Sequence, residues 1–176
     1  MKTVSEKQTL LKLHRVKTDF QNTIRENYEF KAKNCLTCET KGACCQDAHF
    51  VNVHITRLEA VSIRQELQKL PIEKQKEIYC RIEQTIKNYD LKSSGDTFAQ
   101  TFACPLFEKE IGCLVHASGK PAACIQHACY ENKPDLPPDE LQSEVEIEIE
   151  RLNEQTYKTS ARWLSLPVFL HLVKRG

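Results

Sequence analysis

Apolar residues recur at three- and four-residue steps along the first part of the chain. The positions are Leu10, Leu13, Val16, Phe20, Ile24 and Tyr28. This period is typical of an amphipathic helix that packs one face into a core. The pattern predicts a helix over residues 5–33, which brings the chain to a cysteine-rich stretch that begins at Cys35.

The next predicted elements lie between residues 50 and 89. Apolar and polar residues alternate over 50–55, which predicts a short strand. Thr56 followed by Glu59 is a capping-box signature, in which the threonine hydroxyl accepts the glutamate N–H and the carboxylate reaches back. A helix should therefore begin there and end near Pro71, and a second helix should cover 72–89.

The second half of the chain predicts a small hairpin and a long helix. Residues 102–107 and 113–116 flank a five-residue segment that ends at Gly112, which suggests a hairpin with glycine at the turn. Asp139 can cap a long helix; the alternation over 145–149 could also be a strand, but the glutamate-rich, glycine-free surroundings favour helix. The apolar residues after Pro167 are expected to pack back onto the body.

Composition changes this picture little. A chain of 176 residues with 40% hydrophobic residues can bury an ordinary core, so a single domain is expected. The net charge of +1 gives no general electrostatic reason to expect nucleic acid or an anionic membrane as partner.

The first residues lack the apolar run of a signal peptide, and nowhere do about eighteen apolar residues follow one another. We therefore expect a cytoplasmic protein without a membrane segment.

Several common kinds of site are excluded by motif. The chain has five glycines, and none of them is spaced as in GxGxxG or a P-loop. It also has no HExxH pair and no GxSxG elbow. Dinucleotide, P-loop nucleotide, zinc-protease and α/β-hydrolase sites of the familiar kinds are therefore not expected.

Eight of the nine cysteines fall into two groups, separated by about sixty residues that hold only Cys80. The groups are Cys35, Cys38, Cys44 and Cys45, then Cys104, Cys113, Cys124 and Cys129. In a reducing compartment such density indicates metal binding or redox chemistry more than disulfides, and thiolates suit zinc and iron–sulfur centres. Cys80 lies off the apolar stripe of its predicted helix, so we interpret it as an unliganded thiol.

Spacing within the first group bears on which metal is bound. The two-residue spacer between Cys35 and Cys38 lets both sulfurs face one ion, as in zinc knuckles and iron–sulfur loops. The side chains of Cys44 and Cys45 diverge, so both on one tetrahedral ion would be strained. The doublet therefore favours a polynuclear iron–sulfur centre over zinc, although two four-cysteine sites or one cluster with spare thiols both stay open.

Histidines are the other candidate ligands. His49 and His54 follow the first group, and His116 and His127 lie within the second. Imidazole is a common ligand, but a lone histidine is more often on the surface or hydrogen-bonded to a ligand than bound to metal. His116 and His127 are the better candidates.

The cysteine pattern resembles the YkgJ-like cysteine cluster family, small bacterial proteins with a CxxCxxxxxCC signature described as a zinc- or iron-chelating domain. The similarity covers about residues 35–130. It is carried by the segments Cys35-x2-Cys38-x5-Cys44-Cys45, 51–56, Cys104-Pro-Leu-Phe, Cys113-Leu-Val-His and Lys120-Pro-Ala-Ala-Cys124. The resemblance implies that these seven cysteines chelate a metal, with an iron–sulfur centre as the expected form.

The chain departs from this pattern near its end. Lys120 and Ile125 stand where the family commonly has arginines, and Cys129 is an added thiol that we include as an eighth candidate ligand. Flagellin lysine N-methylases carry a related cysteine cluster, so methyl transfer is an alternative, although the chain is short and has no glycine-rich loop for S-adenosylmethionine.

The sequence thus predicts a mainly α fold: one helical domain with a small cysteine-rich metal-binding region and a short β-hairpin. Its expected segments are an N-terminal helix (1–34), the cysteine region (35–130) and an acidic helical extension packed on the same domain (131–176). Three functions remain open. The centre is a structural or metal-handling module, or it serves a redox or methylase-like enzyme, or it braces a surface through which residues 139–176 bind a protein partner.

Overall fold

The computed structural model describes residues 5–33, 42–46 and 51–174, and this part of the chain is mainly helical. Its α-helices are α1 (Glu6–Asn27), α2 (Arg57–Leu67), α3 (Ile72–Asn88), α4 (Ala122–Gln126), α5 (Asp139–Tyr157) and α6 (Leu166–Leu172). Its strands are β1 (His54–Ile55), β2 (Phe107–Glu108), β3 (Gly112–Cys113) and β4 (Leu164–Ser165). The expected mainly α class with a short hairpin is confirmed.

Contacts along the chain divide it into two compact units. The described part of the first unit comprises residues 5–33 and 121–161, and that of the second comprises 42–46, 51–120 and 162–174. Helix α5 therefore belongs to the first unit, whereas β4 and α6 belong to the second. The arrangement of all segments as one domain stays a prediction, and each unit is described by itself.

In the first unit, α1 packs against α4 and α5. Ser5 caps α1 by accepting the N–H of Gln8, and Leu13, Phe20 and Ile24 lie on its buried face. Burying such aliphatic and aromatic side chains stabilises a helix pair by about 1.5–3 kcal/mol each. The predicted core stripe is thus largely confirmed.

Two helix boundaries in the first unit differ from the prediction. Helix α1 ends at Asn27, because a 3-10 turn follows over Glu29–Lys31 and Ala32 then pairs with Tyr130. Helix α5 forms instead of the alternative strand, but Asp139 is already its first helical residue. Pro138 occupies the cap position and no side chain caps the helix, so the expected capping role of Asp139 is wrong.

In the second unit, α6 packs against α2 and α3, and β4 pairs with β1 in antiparallel register. His54 lies opposite Ser165 and Ile55 opposite Leu164. The strand predicted over 50–55 is therefore confirmed only at its last two residues; 51–53 are not in a strand, and residue 50 lies outside the described part. Burial of the apolar residues of α6 confirms that the end of the chain packs back onto the body.

Helix starts in the second unit follow the local signals. Thr56 Oγ1 accepts the Glu59 N–H at 3.4 Å, and the Thr56 N–H donates to Glu59 Oε2 at 3.3 Å, so the capping box is present at the start of α2. Helix α3 follows Pro71 as predicted, and Cys80 lies on its exposed side.

The predicted hairpin forms from β2 and β3. Phe107 lies opposite Cys113 and Glu108 opposite Gly112, which places Gly112 in the second strand instead of in the turn. Gly112 has φ +94°, and Glu110 within the connection has φ +73°. The register places Cys113 opposite Phe107, which lies three residues after Cys104, so both cysteines belong to one local structure.

Candidate metal centre

The structure describes six of the eight predicted ligands. Cys35 and Cys38 lie outside the described residues. The other six divide by unit: four lie in the second unit, and Cys124 and Cys129 lie in the first. None of these six is in a disulfide. The four cysteines of the second unit, which we call the sulfur cluster, are Cys44, Cys45, Cys104 and Cys113.

A tight turn holds the doublet of the sulfur cluster. The Cys45 N–H donates to the Gly42 carbonyl at 2.8 Å, and the Gln46 N–H donates to the Ala43 carbonyl at 3.1 Å. Gly42 has φ +80°, a left-handed conformation that glycine adopts without steric cost. A Cβ at this position would also overlap the Phe107 ring, so the turn and the hairpin are in direct contact.

Cys104 is fixed beside the doublet by its backbone. Its N–H donates to the Cys45 carbonyl at 2.8 Å, and its carbonyl accepts the Phe107 N–H at 3.2 Å. The preceding chain is held as well, because the Phe102 N–H donates to the Val51 carbonyl at 2.9 Å. Two segments nearly sixty residues apart in sequence are therefore held together by a backbone hydrogen bond between their cysteines.

The sulfur of Cys104 receives backbone hydrogen bonds. Burial raises the pKa of Cys104 to about 12. The N–H groups of Leu106 and Phe107 donate to the sulfur and act in the opposite direction, lowering the pKa. The neighbouring Cys113 raises it further, and the Arg81 guanidinium lowers it. An N–H group that points at a sulfur stabilises the thiolate form, which is the form that binds a metal.

Cys113 has a similar environment. Burial raises the pKa of its thiol, whereas the Val115 N–H, which donates to the sulfur, and the Lys120 ammonium lower it. Cys44 is close enough to raise this pKa as well. Cys113 is thus a neighbour of both Cys104 and Cys44, and the sulfurs of Cys104 and Cys113 each have a backbone donor and a cation nearby.

Coordination geometry is a separate matter. Within residues 5–33, 42–46 and 51–174, no group of three or more histidine, cysteine, aspartate or glutamate side chains is arranged to hold a metal ion. Cys113 lies near both Cys104 and Cys44, but the structure does not direct three thiols of the sulfur cluster at one point. The chemistry of the donor set nevertheless fits zinc or iron, because all four donors are sulfur, which suits these metals better than hard, hydrated cations.

The two cysteines of the first unit lie near the end of its N-terminal segment. Cys124 is in α4, which packs on α1. The Cys129 carbonyl accepts the Lys33 N–H at 2.8 Å, and the bridge between Ala32 and Tyr130 continues this pairing. Cys129 is therefore paired with Lys33, which is two residues before Cys35 in the sequence.

Three of the four candidate histidines lie in the described part of the chain. His116 and His127 are exposed, and His49 lies outside the described residues. His54 is buried and uses both ring nitrogens: Nδ1 donates to the Asn52 carbonyl at 2.6 Å, and Nε2 accepts from Thr97 Oγ1 at 3.2 Å. His54 thus holds the loop that leads towards Cys104.

An ion-pair cluster beside the sulfur cluster was not predicted. Glu108 is 8% exposed, and its carboxylate accepts Arg81 Nη2 at 2.8 Å and the Lys74 ammonium. Hydrogen bonding from Lys74 and the charge of Arg81 hold the pKa of Glu108 below its usual range. Lys74 and Arg81 are seven residues apart, which places them on one face of α3, and this spacing is the only sequence signal for the cluster.

Comparison with known proteins adds no further assignment: no family model matches the chain, and no curated protein or solved structure matches it. The helices in the described part of the chain include none with the length and apolar character needed to cross a membrane.

Proposed function

We propose that the protein binds a metal centre through its clustered cysteines and belongs with the YkgJ-like proteins that its signature resembles. The proposed ligands are Cys35, Cys38, Cys44, Cys45, Cys104, Cys113, Cys124 and Cys129. The observation that carries this proposal is the sulfur cluster, in which half-buried cysteines from distant segments lie together, and the sulfurs of Cys104 and Cys113 accept backbone N–H groups. Thiols that served only as packing groups would need no such donors.

An iron–sulfur centre is the preferred form and zinc is the alternative. The divergent side chains of Cys44 and Cys45 suit a cluster whose iron atoms are approached from different directions. A bound centre would cross-link the segments that carry its ligands. In the iron–sulfur form it would also be able to accept and donate one electron. The protein's own residues would hold the thiolates, exclude water and offset negative charge.

The proposed role is a structural or metal-handling module. Because ligands from distant parts of the sequence would share the centre, metal binding should add to the stability of the fold. The cysteines must lose their protons on binding, so metal uptake should release protons and weaken as the pH falls.

The test is anaerobic purification of the full chain, followed by elemental analysis, a sulfide assay and an optical spectrum. Brown protein with iron and acid-labile sulfide supports the cluster, and colourless protein with zinc supports the alternative. The variants Cys104→Ser and Cys113→Ser should lose metal. The matched control is Cys80→Ser, since Cys80 is exposed on α3 and outside the sulfur cluster. Metal-free wild-type protein, purified under these conditions and unable to take up either metal, would refute the proposal.

A further inference from the structure

Arg81 carries a buried hydrogen-bond donor that no group in the described part of the chain accepts. Its Nη2 donates to Glu108, but its Nε is buried and has no hydrogen-bond partner there. A buried donor left without an acceptor is unfavourable, so its presence calls for an explanation. One explanation is an acceptor that arrives with a bound group.

The position of this donor indicates which acceptor that would be. Arg81 lies close enough to Cys104 for its charge to act on the thiol. Its side chain is 27% exposed, and Glu108, which holds it, is adjacent to Phe107 on β2. Phe107 in turn contacts both Gly42 and the backbone of Cys104. The guanidinium is therefore fixed on the same local structure that carries the sulfur cluster.

Charge around the cluster is consistent with this role. Lys74 shares the Glu108 carboxylate with Arg81 and also pairs with Glu77, whose side chain is 54% exposed. The negative charge of Glu108 is therefore shared between Lys74 and Arg81. Lys120 provides a second cation beside Cys113. A metal held by four thiolates carries a net negative charge for zinc and for common iron–sulfur clusters, and cations at this distance would stabilise it.

We propose that Arg81 is a positioning residue of the metal centre, which stabilises the thiolate-ligated form through its positive charge and its buried Nε–H group. This inference rests on the proposed function, because it concerns the same cysteines. It also assigns a preference: the site should take an anionic, all-thiolate centre in which a sulfur atom can accept the Arg81 N–H. Mutation of comparable outer-shell groups commonly lowers metal affinity 10- to 100-fold.

The experiment uses the full chain loaded with Co²⁺, whose spectrum reports sulfur ligation, and measures the rate of metal release to a chelator. Arg81→Met removes the charge and the donor, and Arg81→Lys keeps the charge but lacks the Nε–H group. Lys76→Met is the matched control, since it removes one positive charge from an exposed position of the same helix, with 67% of the Lys76 side chain exposed.

Arg81→Met should release the metal about tenfold faster than wild type, Arg81→Lys should fall between them, and Lys76→Met should stay within twofold of wild type. Folding is checked by circular dichroism of each metal-free variant. A folded Arg81→Met protein with wild-type release and spectrum would overturn the inference. If that variant does not fold, Arg81→Lys decides, and wild-type release from it would overturn the inference equally. Wild-type protein that binds no metal would instead refute the proposed function.

Discussion

The Phe107 ring lies directly against Gly42, in the space that any larger residue at position 42 would need for its side chain. This contact joins the turn that holds Cys44 and Cys45 to the hairpin that carries Cys113. Together with the hydrogen bond from Cys104 to Cys45, it brings three segments of the chain to the sulfur cluster.

Gly42→Ala should therefore separate the turn from the hairpin and lower metal retention. Two effects add: the overlap with the Phe107 ring and the left-handed φ of +80°, which costs alanine about 1–2 kcal/mol. Gly95→Ala is the control, because Gly95 has nearly the same φ, +79°, with no atom near an added Cβ. Urea denaturation and metal analysis should show a larger loss for Gly42→Ala. Equal losses would mean that the Phe107 contact has no role.

Glu108→Gln should destabilise the second unit. The substitution removes the carboxylate that accepts Arg81 and Lys74, which leaves two cations with weaker partners at a position that is only 8% exposed. Hydrogen bonds to charged groups contribute about 1.5–3 kcal/mol, so a loss of about 2 kcal/mol in the free energy of unfolding is expected.

Glu77→Gln is the comparison for Glu108. Glu77 also pairs with Lys74, but it is largely exposed, and exposed ion pairs contribute little. Its loss should stay below about 0.5 kcal/mol in urea denaturation. If both variants are equally stable, the buried ion-pair cluster does not hold the hairpin.

The stability of the second unit should fall as the pH drops below about 6.5, in part because of His54. Burial lowers the pKa of this histidine below the value of about 6.5 that it has in the unfolded chain. Well above that value His54 is neutral in both the folded and the unfolded state, and its contribution to the free energy of unfolding is fully present. As the pH falls, the unfolded state binds the proton first, so stability is lost until the folded state is also protonated.

His54→Gln provides the measurement for this pH dependence. The difference in unfolding free energy between wild type and variant should be largest near pH 7.5 and smaller near pH 5. His14→Gln is the control for the same substitution at an exposed position of α1. A wild-type-minus-variant difference that does not vary with pH would contradict the assigned role of the buried imidazole.

Local signals in the sequence predicted the helices well. The Thr56–Glu59 capping box and the stripe of α1 depend on residues three and four apart, so the sequence alone contains them. The end of α1 and the short β1 were predicted less well, because both depend on partners far along the chain. Ala32 pairs with Tyr130, and His54 pairs with Ser165.

The composition of the candidate site could be predicted from the sequence, but its arrangement could not. The cysteines stand out by their number and spacing, yet the hydrogen bond between Cys45 and Cys104 joins residues that no local pattern relates. The same is true of Arg81 and Glu108, which are 27 residues apart and meet only because the hairpin packs beside α3. An ion pair of this kind leaves no periodicity in the sequence.

X-ray absorption at the metal edge of anaerobically purified, full-length protein tests the central claim most directly. The account predicts a first shell of sulfur, at about 2.3 Å if the metal is zinc. That shell should be lost or depleted in Cys104→Ser and Cys113→Ser and unchanged in Cys80→Ser. A first shell made only of nitrogen and oxygen, or a sulfur shell indifferent to Cys104 and Cys113, would contradict it.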